Sequence, residues 1–232
     1  MKENSNYSVS PIFIVGMPRS GTTLMNTLLS AHPNITIPFA ETKFIREWMK
    51  INNASQYYDS PKDFGFFWKN YANSDSFSAL GIDADAALSR ILTIGTYDYK
   101  SIFTGILQEY ASQMEKPRWG EKTPGHYLYL NVLLKWYPQA RVIWMLRDPR
   151  AVIASLLNVS WATCSIVQYT QRWCKSARIF QQQWGEDPRV KLIKYEVLVN
   201  EIESEMQQVC KFVGENYTPS ILTNRSETNS PI

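Results

Sequence analysis

The stretch Ile12-Phe13-Ile14-Val15-Gly16-Met17-Pro18-Arg19-Ser20-Gly21-Thr22-Thr23-Leu24 decides the fold. Its first four residues are apolar without alternation, the pattern of a strand in a parallel sheet covered on both faces. Its last residues open a helical pattern through Leu24, Leu28 and Leu29 that His32-Pro33 stops. Between them stands G-x4-G followed by two threonines. In that context backbone N–H groups at a helix start wrap an anion. A nucleoside triphosphatase with this loop carries Lys where Thr22 stands, and uses it on the β- and γ-phosphates. Its replacement argues against ATP or GTP hydrolysis, and the cationic role falls to Arg19 inside the loop. A loose G-x4-G alone also fits an incidental strand-to-helix turn; here strand, arginine and paired threonines coincide.

Outward from the loop, strands and helices alternate. Apolar runs at Ile35 to Phe39, Arg118-Trp119-Gly120, Arg141 to Leu146 and Val190 to Tyr195 read as further strands. Helical patterns cover 43–113 for the most part, then 125–136, 150–158 after Pro149 at the N1 position, 164–184 and 199–213. The expected fold class is α/β: a P-loop-type central parallel β-sheet flanked by helices, with a helical, aromatic-rich insert. That insert holds Trp48, Tyr57, Tyr58, Phe64, Phe66, Phe67, Trp68 and Tyr71. They serve equally as a subdomain core or as the lining of an acceptor pocket.

The chain has 232 residues, a size for one domain. We expect a flexible N-terminus at 1–10, a domain at 11–222 and a flexible tail at 223–232. A net charge of +3 is too small to argue for nucleic acid or an anionic membrane. A 44% hydrophobic share and 19% charged share exclude a disordered chain. Met1 to Ser10 lack the apolar segment of a signal peptide, and no run approaches the length of a membrane span. With Cys164, Cys174 and Cys210 outside any CxxC pair, the expected location is cytoplasmic. Asn-x-Ser/Thr triplets such as those at Asn53 and Asn158 are then chance.

A second motif follows the strand at 141–146: Arg147-Asp148-Pro149-Arg150-Ala151-Val152-Ile153-Ala154-Ser155. An arginine at a strand's C-terminal end and a serine in the next helix point toward one crevice, where open α/β sheets bind ligands. By residue type alone, Arg147 and Asp148 also fit a surface ion pair. A third segment is Lys194-Tyr195-Glu196-Val197-Leu198-Val199.

Together these segments resemble the sulfotransferases that use 3′-phosphoadenosine 5′-phosphosulfate (PAPS), in flavour the bacterial branch akin to tyrosylprotein and carbohydrate enzymes. Pro18-Arg19-Ser20-Gly21-Thr22-Thr23-Leu24 is similar to the family's 5′-phosphosulfate loop, so Arg19, Ser20, Gly21, Thr22 and Thr23 are implied contacts. Arg-Asp-x-Arg with a serine eight residues after the first arginine is similar to its 3′-phosphate signature, implying Arg147 and Ser155 there, with Arg150 shaping the turn. The Tyr-Glu-x-Leu-Val segment implies that Tyr195 reaches the nucleotide. The tyrosylprotein branch carries a further arginine where this chain has Val159, and similar enzymes add a Lys/Trp-rich closing segment after the last helix.

The resemblance implies sulfuryl transfer to a hydroxyl or amine acceptor by in-line displacement. Glu41, in Ala40-Glu41-Thr42, is the expected base, with a solvated helix-opening carboxylate as its bland alternative. Lys122, twenty-five residues before Arg147, would with Arg19 stabilise the transferring group; Glu121-Lys122 also fits a surface pair. His126 is a second candidate base better read as core or cap, and His32 fits a helix stop. No metal cluster is expected. The acceptor is a small molecule, a carbohydrate or a peptide. The alternatives are a catalytically weak or non-catalytic protein binding PAPS or its product adenosine 3′,5′-bisphosphate (PAP), and a P-loop kinase.

Overall fold

Alternate residues of the buried strands feed two separate cores, and this places helices on both faces of one sheet. The computed structural model describes residues 10–49 and 61–223. Of the ends expected to be flexible, 1–10 and 223–232, residues 1–9 and 224–232 lie outside the described residues, as do Asn53, Tyr57 and Tyr58. Among the described residues the strands are β1 (Ile12–Gly16), β2 (Ile35–Thr36), β3 (Arg118–Lys122), β4 (Arg141–Leu146) and β5 (Val190–Lys194). All pair in parallel in the order β2-β3-β1-β4-β5.

Helix α1 (Thr22–Ser30) follows β1. Then α2 (Phe44–Glu47), α3 (Pro61–Ala72), α4 (Asp75–Ser78), α5 (Ala84–Ile94) and α6 (Tyr99–Gln113) fill the connection from β2 to β3. A 3-10 stretch, Pro124–Tyr129, leads into α7 (Leu130–Trp136). Between β4 and β5 lie α8 (Pro149–Leu157), α9 (Ile166–Ile179) and a π-helical turn at Phe180–Trp184. Finally α10 (Tyr195–Asn200), α11 (Ile202–Val213) and α12 (Ser220–Thr223) close the described chain.

On one face Ile12, Ile14, Ile143, Met145 and Ile193 pack against Met25, Leu28 and Leu29 of α1 and Met206, Val209 and Val213 of α11. On the other, Phe13, Val15, Trp119, Val142 and Trp144 meet Ile102, Phe103 and Ile106 of α6 and the 44–80 aromatic layer. Each such side chain contributes about 1.5–3 kcal/mol on burial. The aromatic block belongs mainly to this core. Phe64, Trp68 and Tyr71 are buried, and Tyr71 meets Phe44 and Trp48 edge-on at 5.3 and 5.1 Å; Phe66 alone among the described aromatics of α3 is open to solvent.

Local chemistry accounts for the boundaries. Ser74, Asp83 and Asp98 cap α4, α5 and α6 by accepting from Phe77, Ala86 and Ser101 N–H groups, and Ser165 with Gln168 forms a reciprocal capping box on α9. The structure corrects several expected limits. β2 ends at Thr36, not Phe39, because Pro38 has no N–H to donate to a ladder. β3 runs on to Lys122. The helix expected at 199–213 begins at Tyr195 and breaks at Glu201, whose φ of −127° and ψ of 45° are non-helical.

Candidate active site

The C-terminal ends of the five strands form one rim, and each carries a residue singled out in the sequence. Along the sheet they fall in the order Glu41 after β2, Lys122 on β3, the Arg19 loop after β1, Arg147 after β4 and Tyr195 after β5.

Backbone geometry shapes the loop. Gly16 has φ 145°, and a Cβ there would stand 2.4 Å from the Met145 carbonyl oxygen. Ser20 is buried, its hydroxyl donating to the Met17 carbonyl at 2.6 Å. Arg19 adopts φ 69°, a left-handed conformation whose cost for a non-glycine residue is offset only by its surroundings. Gly21, at φ 96°, is the N-cap of α1 and makes no side-chain capping bond. The first N–H groups of α1 are therefore presented at the mouth of the loop. Thr22 is buried and Thr23 exposed.

The ring of Tyr195 closes over Gly21, so that a Cβ added to the glycine would meet its Cδ2 at 2.4 Å. The Arg147 guanidinium carbon lies 4.2 Å from the centroid of the same ring. Arg147 Nη1 donates to the Arg19 carbonyl oxygen at 3.1 Å, and Arg19 Nε donates to Ser155 Oγ at 2.8 Å. The structure thus brings Arg19, Arg147, Ser155, Gly21 and Tyr195 into one cationic cluster. Arg147 Nε is buried and has no hydrogen-bond partner among the described residues. An anion with several oxygens fits that fork.

The surface pair Arg147–Asp148 is absent. Asp148 instead caps α8 through the Arg150 N–H at 2.8 Å and takes the Arg150 guanidinium side-on, with Arg150 Nη2 at 2.6 Å. Hydrogen bonds from the Arg150 side chain and backbone hold its carboxyl down at about 2. Arg150 itself points to solvent, 89% exposed. Two supports were not anticipated. Trp173 Nε1 donates to the Arg147 carbonyl at 3.0 Å, and Glu196 accepts from the Asp148 N–H at 2.9 Å.

On the other half of the rim, Lys122 Nζ lies 3.4 Å from Glu41 Oε1, and 5.8 Å from the centroid of the exposed Phe39 ring. The lysine side chain is 5% exposed and the glutamate 34%. Glu121 is fully buried, so the alternative of a Glu121–Lys122 surface pair does not hold. Its Oε1 accepts from the hydroxyls of Thr42, at 2.8 Å, and Thr123; its Oε2 is 2.9 Å from His126 Nδ1. Burial pushes the Glu121 carboxyl up, but the His126 ring and the two hydroxyls outweigh it and hold the group below the usual carboxylate range. His126 is wholly buried, in keeping with a core position, and His32 ties Asn34 N–H to Nδ1 and the Asn216 carbonyl to Nε2. Among the described residues no group of His, Cys, Asp and Glu side chains is arranged to hold a metal ion. None of the described helices is long and apolar enough to cross a membrane.

A parallel sheet with a glycine loop opening α1, and an arginine reaching that loop from the neighbouring strand end, define an α/β protein of the P-loop type. The chain belongs to the sulfotransferase family, whose model matches residues 11–219. It is 26% identical over 235 residues to the protein-tyrosine sulfotransferase of Drosophila melanogaster, a match covering 97% of this chain and 42% of that relative. The sulfotransferase domain of a Synechococcus olefin synthase superposes with a TM-score of 0.62 at 16% identity, covering all of this chain and 85% of that one. A mouse sulfotransferase complexed with PAP gives 0.50 at 14%, covering 96% and 64%.

Proposed function

We propose that this chain moves a sulfuryl group from PAPS to a hydroxyl or amine acceptor. One observation carries the reading: the arginine-rich cluster at Gly21, Arg19, Arg147 and Ser155 shares one strand rim with the half-buried Lys122–Glu41 pair. A ligand with phosphate at one end and a transferable anion near the other fits that arrangement. The mouse structure, holding PAP, lends support from the same fold.

In this reading Arg147 and Ser155 bind the 3′-phosphate and Tyr195 packs on the nucleoside. Ser20, Gly21, Thr22, Thr23 and the free N–H groups of α1 hold the 5′-phosphosulfate. Arg19 reaches from the loop to Ser155 and links the two anion subsites. PAPS supplies the electrophilic sulfur. Glu41 accepts the acceptor's proton as its oxygen bonds to sulfur, and Lys122 balances the charge on the oxygen that departs with the 5′-phosphate. The products are a sulfated acceptor and PAP. Placement and electrostatics do most of the work, as in phosphoryl transfer. A tyrosine peptide is the first acceptor to try, given the fly relative's name; sugars and phenols follow.

The test is calorimetric titration with PAP against ATP and magnesium. Micromolar binding of PAP with silence from ATP is expected. Binding of ATP alone would replace this reading with a kinase.

A further inference from the structure

We infer that Glu121, with Thr42, Thr123 and His126, is a positioning assembly that holds the Glu41–Lys122 pair at its working distance. The inference rests on the sulfotransferase reading above and adds to it residues that touch neither donor nor acceptor.

The argument begins with strand geometry. In β3 the register partners Phe13↔Glu121 and Ile14↔Lys122 place successive side chains on opposite faces of the sheet. Lys122 stands on the α1 side with Ile14, and Glu121 on the aromatic side with Phe13. The loop after β2 repeats the pair residue for residue: Glu41 meets Lys122, and Thr42 meets Glu121. The half-buried Glu41–Lys122 contact is long, at 3.4 Å between side chains that are individually flexible. The Thr42–Glu121 bond is 2.8 Å, between two side chains closed to solvent. A threonine has one side-chain torsion to fix, so its bond to Glu121 sets the backbone of the loop one residue from Glu41.

Glu121 is suited to that duty. As a carboxylate it is acceptor-only, and its two oxygens bind donors from the β2 loop (Thr42), the end of β3 (Thr123) and the 3-10 turn (His126). Three segments on either side of the reacting pair are thereby tied to one buried charge. The acceptor role also requires His126 to carry a proton on Nδ1. A surface carboxylate could not do this, since water would compete for each donor.

The experiment compares Thr42→Val, Thr42→Ser and Glu121→Gln in the whole chain. Turnover is followed as PAP release from PAPS, with p-nitrophenol or water as acceptor. PAP affinity is measured by calorimetry and the histidines by ¹⁵N NMR, where only two ring systems resonate. Expected are a kcat lower by about 10-fold in Thr42→Val and about 100-fold in Glu121→Gln, with Thr42→Ser within about threefold of the parent. PAP affinity should stay constant, because the residues proposed to hold it follow β1, β4 and β5. The His126 signals should report Nδ1–H in the parent and shift in Glu121→Gln. Should Glu121→Gln fail to fold, Thr42→Val against Thr42→Ser decides alone.

Variants that keep full turnover, or lose PAP affinity by the same factor as kcat, would overturn the positioning role while leaving the family reading intact. A parent chain that binds PAP yet releases none from PAPS would remove the Glu41–Lys122 chemistry and this inference with it. One that does not bind PAP at all would overturn the proposed function itself.

Discussion

The two halves of the strand rim are built on different principles. Around β1, β4 and β5 the site is made of backbone: a glycine loop, free helix N–H groups, and arginines whose contacts include carbonyl oxygens and a ring face. Around β2 and β3 it is made of side chains on side chains, five of them buried behind one half-buried glutamate. The contrast fits the tasks proposed for the two halves. Holding an anion requires many donors in a fixed concave array, which main chain supplies at little entropic cost. Taking a proton requires one carboxylate at one distance, which only a braced side chain supplies. The halves should therefore fail separately, one in affinity and the other in rate.

The largest effect expected is in rate. Glu41→Gln removes the proposed base and keeps the shape, so kcat should fall by about 10²–10⁴-fold while PAP affinity holds within about threefold. Single-turnover kinetics beside calorimetry check both. A parallel loss of affinity would show that the halves are not separate. Unchanged turnover would remove Glu41 from the chemistry.

Next is Arg147→Ala, which should weaken PAP by about 10–100-fold, the worth of a charge-assisted fork in a partly buried site. At saturating donor, kcat should stay within a few-fold. Arg147→Lys should not restore affinity, because an ammonium can neither lie flat on Tyr195 nor donate from a planar fork.

A smaller effect concerns pH. The folded-state pKa of Glu121 is depressed, so its contribution to stability is complete above the unfolded value and is lost as pH falls through the folded one. The urea midpoint of the parent should therefore drop faster than that of Glu121→Gln between about pH 6 and about pH 3. Parallel curves would show that the buried carboxylate is not held ionised by its partners.

The same division explains what the sequence made legible. The loop is contiguous, from Gly16 to Thr23, so local pattern singles it out, whereas the Arg147–Ser155 motif is singled out by the family resemblance, residue type alone favouring a surface pair. All five strands are also recognisable, because β1 and β4 carry unbroken apolar runs, Ile12 to Val15 and Val142 to Leu146, and turn residues bound the others. The β2–β3 half depends on contacts between residues 79 and 81 positions apart. Nothing local distinguishes Glu121 from a solvated neighbour of Lys122; its burial comes from the aromatic layer that the 44–113 segment lays across that face. The aromatic block was ambiguous for the same reason, since a ring's spacing does not say whether a helix or a ligand covers it. The expected 118–120 strand stopped short of Glu121 and Lys122, and with it the alternation that assigns them to opposite faces.

The smallest effect sharpens the boundary of the nucleotide half. Arg150 belongs to the same motif as Arg147, yet its side chain points to solvent and meets only Asp148. Asp148 keeps its capping bond to the Arg150 backbone whatever side chain that residue carries, and Glu196 still accepts from the Asp148 N–H. Arg150→Ala should then change PAP affinity by less than about threefold, since an exposed ion pair is worth little. A loss as large as that of Arg147→Ala would mean that the guanidinium turns inward when the ligand binds, and that the cationic cluster extends one residue further along α8 than its resting geometry places it.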